Sequence, residues 1–282
     1  MRPAAAVCVA LCWAAPAPAA VAADSYSVRV VRDLSYLQGA SYADRKDTLD
    51  LYLPEGRGNA PVIVSYYGGA LMEGDKSEHT FIGRRFASSG FVTVVVNYRL
   101  SPDVAHPAHV RDAAAAFAWV KRHIAEYGGD ATRVFVIGHS AGAYLVALLS
   151  TDERYLAAHK LSPGDIRGAV PVSAFYWVER EGVAPDRDKS GWGTDPKVWV
   201  DASPAHHLKS AGPPTLILYA DGDEDWRRRQ NVEAAQAMKA AGRANVEIAM
   251  IADRTHMTIW ERMADGRDEA AERIIQFVAS LR

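Results

Sequence analysis

The chain has 282 residues and sets 32 basic against 34 acidic side chains, a formal net charge of −2 with histidine neutral. That length buries a large core without requiring a second domain. The near-balanced charge, with no clustered basic run, argues against a nucleic-acid or membrane-surface partner.

The first 23 residues differ in kind. Met1-Arg2 gives a positive start, Ala4 to Ala15 is apolar and alanine-rich, and Pro16 and Pro18 lead to Val21-Ala22-Ala23 before Asp24. This pattern predicts an export signal cleaved after Ala23, with the remaining chain periplasmic or secreted. The apolar run is far shorter than the ~20 residues that span a bilayer, so stable membrane insertion is not expected. A lipoprotein signal fits less well, because Leu11 precedes Cys12. Cys8 and Cys12 are the only cysteines, and both lie in this stretch. Residues 24–282 therefore offer no disulfide, no cysteine nucleophile and no thiolate zinc site.

Beyond the leader, Val28 to Val31 and Thr48 to Leu53 alternate with period two and predict strands, with Leu49, Leu51 and Leu53 on one face. Pro54 to Asn59 is a turn cluster. Pro61 to Tyr67 predicts a strand ending at Gly68-Gly69, His79 to Ser89 a helix, and Phe91 to Val96 a strand buried on both faces. Val110 to Tyr127 reads as a long helix stopped by Gly128-Gly129-Asp130. Val134 to Ile137 is an apolar strand that runs into Gly138-His139-Ser140-Ala141-Gly142 and then a helical stretch from Tyr144. Ile166 to Ser173 predicts a further strand. Residues 175–212 break the pattern, with Trp177, Trp192 and Trp199, several Gly and Pro, and no long periodicity. Thr215 to Tyr219 and Val246 to Ile251 predict strands, and Arg227 to Ala241 and Glu269 to Leu281 predict helices. Alternating strands and helices argue an α/β fold: a mostly parallel, doubly wound sheet. The two early strands form an antiparallel edge. Residues 24–282 are expected to make one domain, with 175–212 as a cap-like insertion over the carboxyl edge, where such sheets bind ligands.

The G-x-S-x-G run at a strand-to-helix junction carries the chemistry. A serine on so sharp a turn needs tiny neighbours two positions before and after it, and the turn lifts the Ser140 hydroxyl clear of the sheet edge. A serine hydroxyl is a weak nucleophile and needs a base, which needs an acid to orient it. In this motif's fold the order is serine, acid, histidine. His159, His206, His207 and His256 follow Ser140. His256 fits best, since it follows the last strand after a short loop. The acid comes from Ala220 to Trp226, which holds Asp221, Asp223, Glu224 and Asp225. Asp223 is favoured, Asp225 is the rival, and Asp221 is expected to brace the turn. Oxyanion donors are expected from the N–H groups of Ala141, Gly69 and Ala70. Substrate contacts are expected from Tyr66, Tyr67, Leu71, Met72, Trp177 and Met257, an apolar and aromatic lining suited to a small uncharged ester. The sequence has no dinucleotide loop, P-loop or spaced metal-ligand set, so no cofactor or metal is expected.

These motifs, in this order, resemble the α/β-hydrolase fold serine esterases of the carboxylesterase, hormone-sensitive-lipase-like and kynurenine-formamidase-like groups. Tyr67-Gly68-Gly69-Ala70 with Gly74-Asp75 is similar to their oxyanion loop. Asn97 to Pro102, His106-Pro107-Ala108, Asp112 and Tyr127 to Asp130 resemble the segments before the elbow. Tyr219 to Trp226 resembles their acid turn, with Asp223 as the acid. The resemblance covers roughly residues 45–282 and implies ester hydrolysis through a Ser140–His256–Asp223 triad. It also implies that Asn97, Tyr98, Arg99 and Asp112 brace the elbow from behind. Amide or formamide hydrolysis on the same triad is the nearest alternative, and an inactive binding protein of the same fold is the more distant one. In two places the chain departs from the pattern. Tyr67 stands where relatives carry histidine, and is expected to donate a hydrogen bond in its place. Leu71-Met72 stand where relatives often carry an aromatic residue.

Overall fold

The computed structural model describes residues 25–281 apart from 38, 40, 41, 187 and 188. The export signal expected over residues 1–23 lies outside the described residues, as do both cysteines. In chain order the elements are β1 (Val28–Ser35), β2 (Thr48–Pro54), β3 (Ala60–Tyr66), α1 (Thr80–Ser88), β4 (Val92–Val96), α2 (Ala108–His123), β5 (Gly129–His139), α3 (Ala141–Thr151), α4 (Glu153–Ala157), β6 (Gly168–Val172), α5 (Pro196–Asp201), β7 (Thr215–Gly222), α6 (Asp225–Ala240), β8 (Val246–Thr255), α7 (Thr258–Glu261) and α8 (Glu269–Ser280).

The strands form one sheet in the order β1-β2-β4-β3-β5-β6-β7-β8. β2 runs antiparallel to β1 and β4, and every other pairing is parallel. Period-two alternation sends successive side chains of β5 into two cores. Val134 and Val136 join the cluster under α2 and α3, whereas Phe135 and Ile137 join the one under α1, α7 and α8. The sheet is thus covered on both faces, as expected for a doubly wound fold. No helix among the described residues is long and apolar enough to cross a membrane.

Three differences from the sequence reading have physical causes. α2 ends at His123, and a 3-10 turn over Ile124–Tyr127 carries the chain to Gly128 in left-handed conformation (φ 83°). β7 and β8 outrun their apolar cores, to Gly222 and Thr255, because Gly222 pairs with Thr255 and the Asp221 carboxylate accepts from the N–H groups of Asp253 and Arg254 at 3.0 Å each. Finally, no described residue of 175–212 lines the cleft at Ser140. Phe175, Tyr176, Val178 and Trp192 are buried, Trp192 packs edge-on to Tyr144 of α3 (5.8 Å), and the Gln230 side chain of α6 accepts from the N–H groups of Tyr176 and Trp177. Trp177, the residue of this stretch expected to face substrate, packs instead against the cluster between α3 and α6.

One charged knot ties the antiparallel edge to the segment that follows β3. Lys76 is buried, and its ammonium lies 2.6 Å from Asp50 of β2 and 2.7 Å from Asp33 of β1. Asp50 is itself buried, so removing the cation strands a carboxylate in the core. Lys76→Met is expected to cost about 3–5 kcal/mol, read as a lower urea midpoint at unchanged m-value.

Candidate active site

β5 delivers Ser140 and α3 begins at the next residue, so the backbone must reverse within one residue. Ser140 takes φ 53° and ψ −115°, a conformation that costs a non-glycine residue energy and persists only where its surroundings enforce it. They do so here from both sides. The Ser140 N–H donates to the Val172 carbonyl of β6 (3.0 Å), and the Tyr144 N–H donates to the Ser140 carbonyl (3.0 Å). The flanking glycines are required by contact. A Cβ on Gly138 would lie 2.5 Å from the Gly142 carbonyl carbon, and one on Gly142 would lie 2.1 Å from the Tyr66 carbonyl oxygen.

β8 ends at Thr255 and His256 is the next residue. His256 Nε2 lies 2.9 Å from Ser140 Oγ, and His256 Nδ1 lies 2.6 Å from Asp223 Oδ1. Asp223 is buried, and its Oδ2 accepts from the Ser173 hydroxyl (2.6 Å) and the Ala220 N–H (2.9 Å). Burial pushes its carboxyl up, but the hydrogen bonds from His256, Ser173 and Ala220 outweigh this and hold it below its ordinary value. The other three carboxylates of this turn do different work. Asp225 is exposed and pairs with Arg228, Glu224 pairs with Arg227, and Asp221 braces β8. The three remaining downstream histidines lie elsewhere: His159 lines another cleft with Tyr155 and Asp201, His206 meets Glu179 at 2.8 Å, and His207 Nε2 donates to the Asp201 carbonyl.

The loop after β3 approaches Ser140 from the other side. A Cβ on Gly68 would come within 3.2 Å of the Ser140 Cβ. Gly69, Ala70 and Leu71 all have positive φ (105°, 54° and 66°), and the Gly69 carbonyl accepts from the N–H groups of Met72 and Glu73. Among the described residues, the N–H groups of Gly69 and Ala70 have no acceptor. Ala141 opens α3, so its N–H has no intrahelical acceptor either. These N–H groups belong to the two segments that meet at Ser140, the loop after β3 and the first turn of α3. Behind the loop, the Tyr98 hydroxyl donates to the Tyr67 carbonyl (2.8 Å), and Arg99 forks onto the buried Asp112 at 2.8 and 2.7 Å. Asn97 bridges Lys76 N–H and Asp75.

The cleft at Ser140 has a volume of about 380 Å³ and is walled by Gly68, Gly69, His79, Phe81, His139, His256, Met257 and Trp260. Of the expected substrate contacts only Met257 lines it. Leu71 is fully buried in the main core, Met72 is exposed beyond the loop, and Trp177 packs against the 175–212 segment and Arg180. Tyr66 points away and bonds the Ala113 carbonyl. Tyr67 is also buried. Its ring is sandwiched between His79 (5.4 Å, 2°) and Tyr98 (4.6 Å, 22°), and its hydroxyl has no hydrogen-bond partner among the described residues. The expected hydrogen bond from Tyr67 is thus not made; the residue supports the loop by stacking. Gly74 (φ 110°) makes room for it, since a Cβ there would lie 2.7 Å from the Tyr67 ring.

Sequence reasoning missed His79, His139 and Trp260. Trp260 carried a usable signal, as an aromatic residue four positions after His256. It missed the charge of the cleft as well: Glu73, Glu78 and Glu261 line it, and none has a cationic partner among the described residues. Asp223, Glu224 and His256 each offer one ligand atom within 4.8 Å of the others, but the Asp223 and His256 atoms are already engaged with each other.

The strand order and the serine elbow define an α/β-hydrolase fold. Residues 49–162 match the BD-FAE family. In sequence the chain is 30% identical over 221 residues to the probable carboxylic ester hydrolase LipM of Mycobacterium tuberculosis, covering 70% of this chain and 50% of that protein. It is 30% identical over 232 residues to the esterase LipQ of the same organism, covering 75% of this chain and 54% of that one. In structure it resembles a truncated carbohydrate esterase from gut microbiota, with a TM-score of 0.75 at 20% identity over 92% of this chain and 98% of the other. The chain is thus a homologue of carboxylic ester hydrolases, and it spans about half the length of the curated relatives it matches.

Two outcomes follow from the packing around the cleft. Tyr67→Ala empties the stack between His79 and Tyr98 and is expected to lose about 3–5 kcal/mol in a thermal melt. Burial also holds four imidazoles down from 6.5: His79, His106 and His109 to about 4, and His139 to about 3. Between those values and 6.5 the unfolded chain binds protons that the folded chain refuses. Their contribution is complete above pH 6.5 and is lost as pH falls towards 4. Urea midpoints measured across this window should therefore drop on acidification.

Proposed function

We propose that this chain is a carboxylic ester hydrolase that works through an acyl-enzyme on Ser140. The observation that carries the reading is the file of hydrogen bonds from Ser140 through His256 (2.9 Å) to Asp223 (2.6 Å). Ser140 Oγ attacks the ester carbonyl while His256 Nε2 takes its proton. Asp223 accepts from His256 Nδ1–H and stabilises the imidazolium. The N–H groups of Gly69, Ala70 and Ala141 stabilise the oxyanion. His256 then protonates the leaving alkoxide, and water, activated by the same imidazole, releases the acid. The names of the sequence relatives, carboxylic ester hydrolase and esterase, support the same chemistry.

The unpaired Glu73, Glu78 and Glu261 favour uncharged esters over anionic ones, because a like charge in a half-enclosed cleft is repelled. The leader pattern of residues 1–23 supports action outside the cytoplasm. Hydrolysis of a short-chain aryl ester by wild type and by Ser140→Ala is the direct test. The variant is expected to lose about 10⁴-fold or more in kcat, and equal turnover by both proteins sinks the proposal. Asp223→Asn should lose about 10³–10⁴-fold, with Asp225→Asn close to wild type. A hemisuccinate ester should be a poorer substrate than its neutral isostere.

A further inference from the structure

We propose that His139, the residue between Gly138 and the nucleophile, is a positioning residue that holds His256 in register through its backbone. The inference rests on the hydrolase reading and adds a member to its machinery. His139 continues the Phe135 and Ile137 face of β5, so its side chain enters the layer under α7 rather than the one under α3. It is 2% exposed. Its Nε2 lies 2.7 Å from the His256 carbonyl oxygen, so Nε2–H donates and the ring is the neutral Nε2–H tautomer. The ring also packs at 4.7 Å against the His256 imidazole and stacks on Trp260 (5.6 Å, 17°).

Two consequences follow from this geometry. The residue joined covalently to the nucleophile grips the residue that deprotonates it, so base and nucleophile share one rigid element. The contact also reaches the oxyanion loop. Trp260 Nε1–H donates to His79 Nδ1 (3.2 Å), and His79 stacks on Tyr67, the residue that leads into Gly68-Gly69. The neutrality of His139 matters too, because a second cation 4.7 Å from His256 would oppose the imidazolium formed in catalysis. Burial supplies that neutrality.

The test compares His139→Phe, which keeps a ring on Trp260 but cannot donate, with His139→Gln, whose amide N–H reaches the same place as Nε2. The Phe variant is expected to lose about 10–100-fold in kcat with KM held within about twofold. Its rate of labelling by a serine-directed phosphonate should fall in step, and the Gln variant should recover most of both. A Phe variant with wild-type kcat, or a Gln variant as impaired as Phe, overturns the proposal. A wild type that hydrolyses no ester overturns the hydrolase reading instead. A readout on the unaltered enzyme covers variants that fail to fold or a wild type without ester turnover. Imidazole ¹⁵N NMR should show His139 as a neutral Nε2–H ring from about pH 5 to 8, and a His139 that titrates in that range, or carries its proton on Nδ1, overturns the assignment.

Discussion

The site depends on how closely the first turn of α3 approaches the end of β3. A single Cβ at Gly142 would meet the Tyr66 and Tyr67 carbonyl oxygens at 2.1 and 2.4 Å. Because that space is filled by backbone, the elbow cannot relax into an ordinary strand end, and Ser140 stays in a conformation it would not choose alone. The same contact fixes where the loop after β3 departs, and with it the Gly69 and Ala70 amides. Ser140 and the Gly69 and Ala70 amides are therefore set by one packing event between adjacent parallel strands.

His256 and Asp223 arrive by a second, independent route. β7 and β8 extend past their apolar cores because Asp221 captures two amides of β8 and Gly222 pairs with Thr255. That extension carries His256 to the edge where Ser140 waits. Asp223 then sits under His256, closed in by Ser173, Ala220 and Arg227, whose guanidinium lies 3.9 Å away. A buried cation at that distance favours the ionised carboxylate of Asp223.

The parts legible in the sequence are those that backbone sterics dictate. A glycine two places either side of a serine, between an apolar strand and an apolar helix, is what a one-residue reversal of the backbone demands. The strand and helix alternation gave the layer order for the same local reason. Side-chain destinations were less legible. Leu71 and Tyr67 follow a strand end and look free to face substrate, yet both are buried, Tyr67 between two rings and Leu71 at the end of three successive positive-φ residues. Trp192 was legible as aromatic but not as packed against Tyr144, since that contact joins residues 48 positions apart. The acidic rim was hidden because Glu73, Glu78 and Glu261 come from two separate segments that only the fold brings together.

The ring of Tyr67 and the bare backbone of Gly74 have one further consequence. A Cβ at Gly74 would stand 2.7 Å from that ring, so the two positions share one volume. Any lineage that trades this tyrosine for a smaller side chain lifts the restriction on the glycine, and any that fills the glycine must first shrink the ring. The pair should drift as a unit among relatives, and an alignment in which these columns vary together would carry the imprint of a stack that neither column betrays by itself.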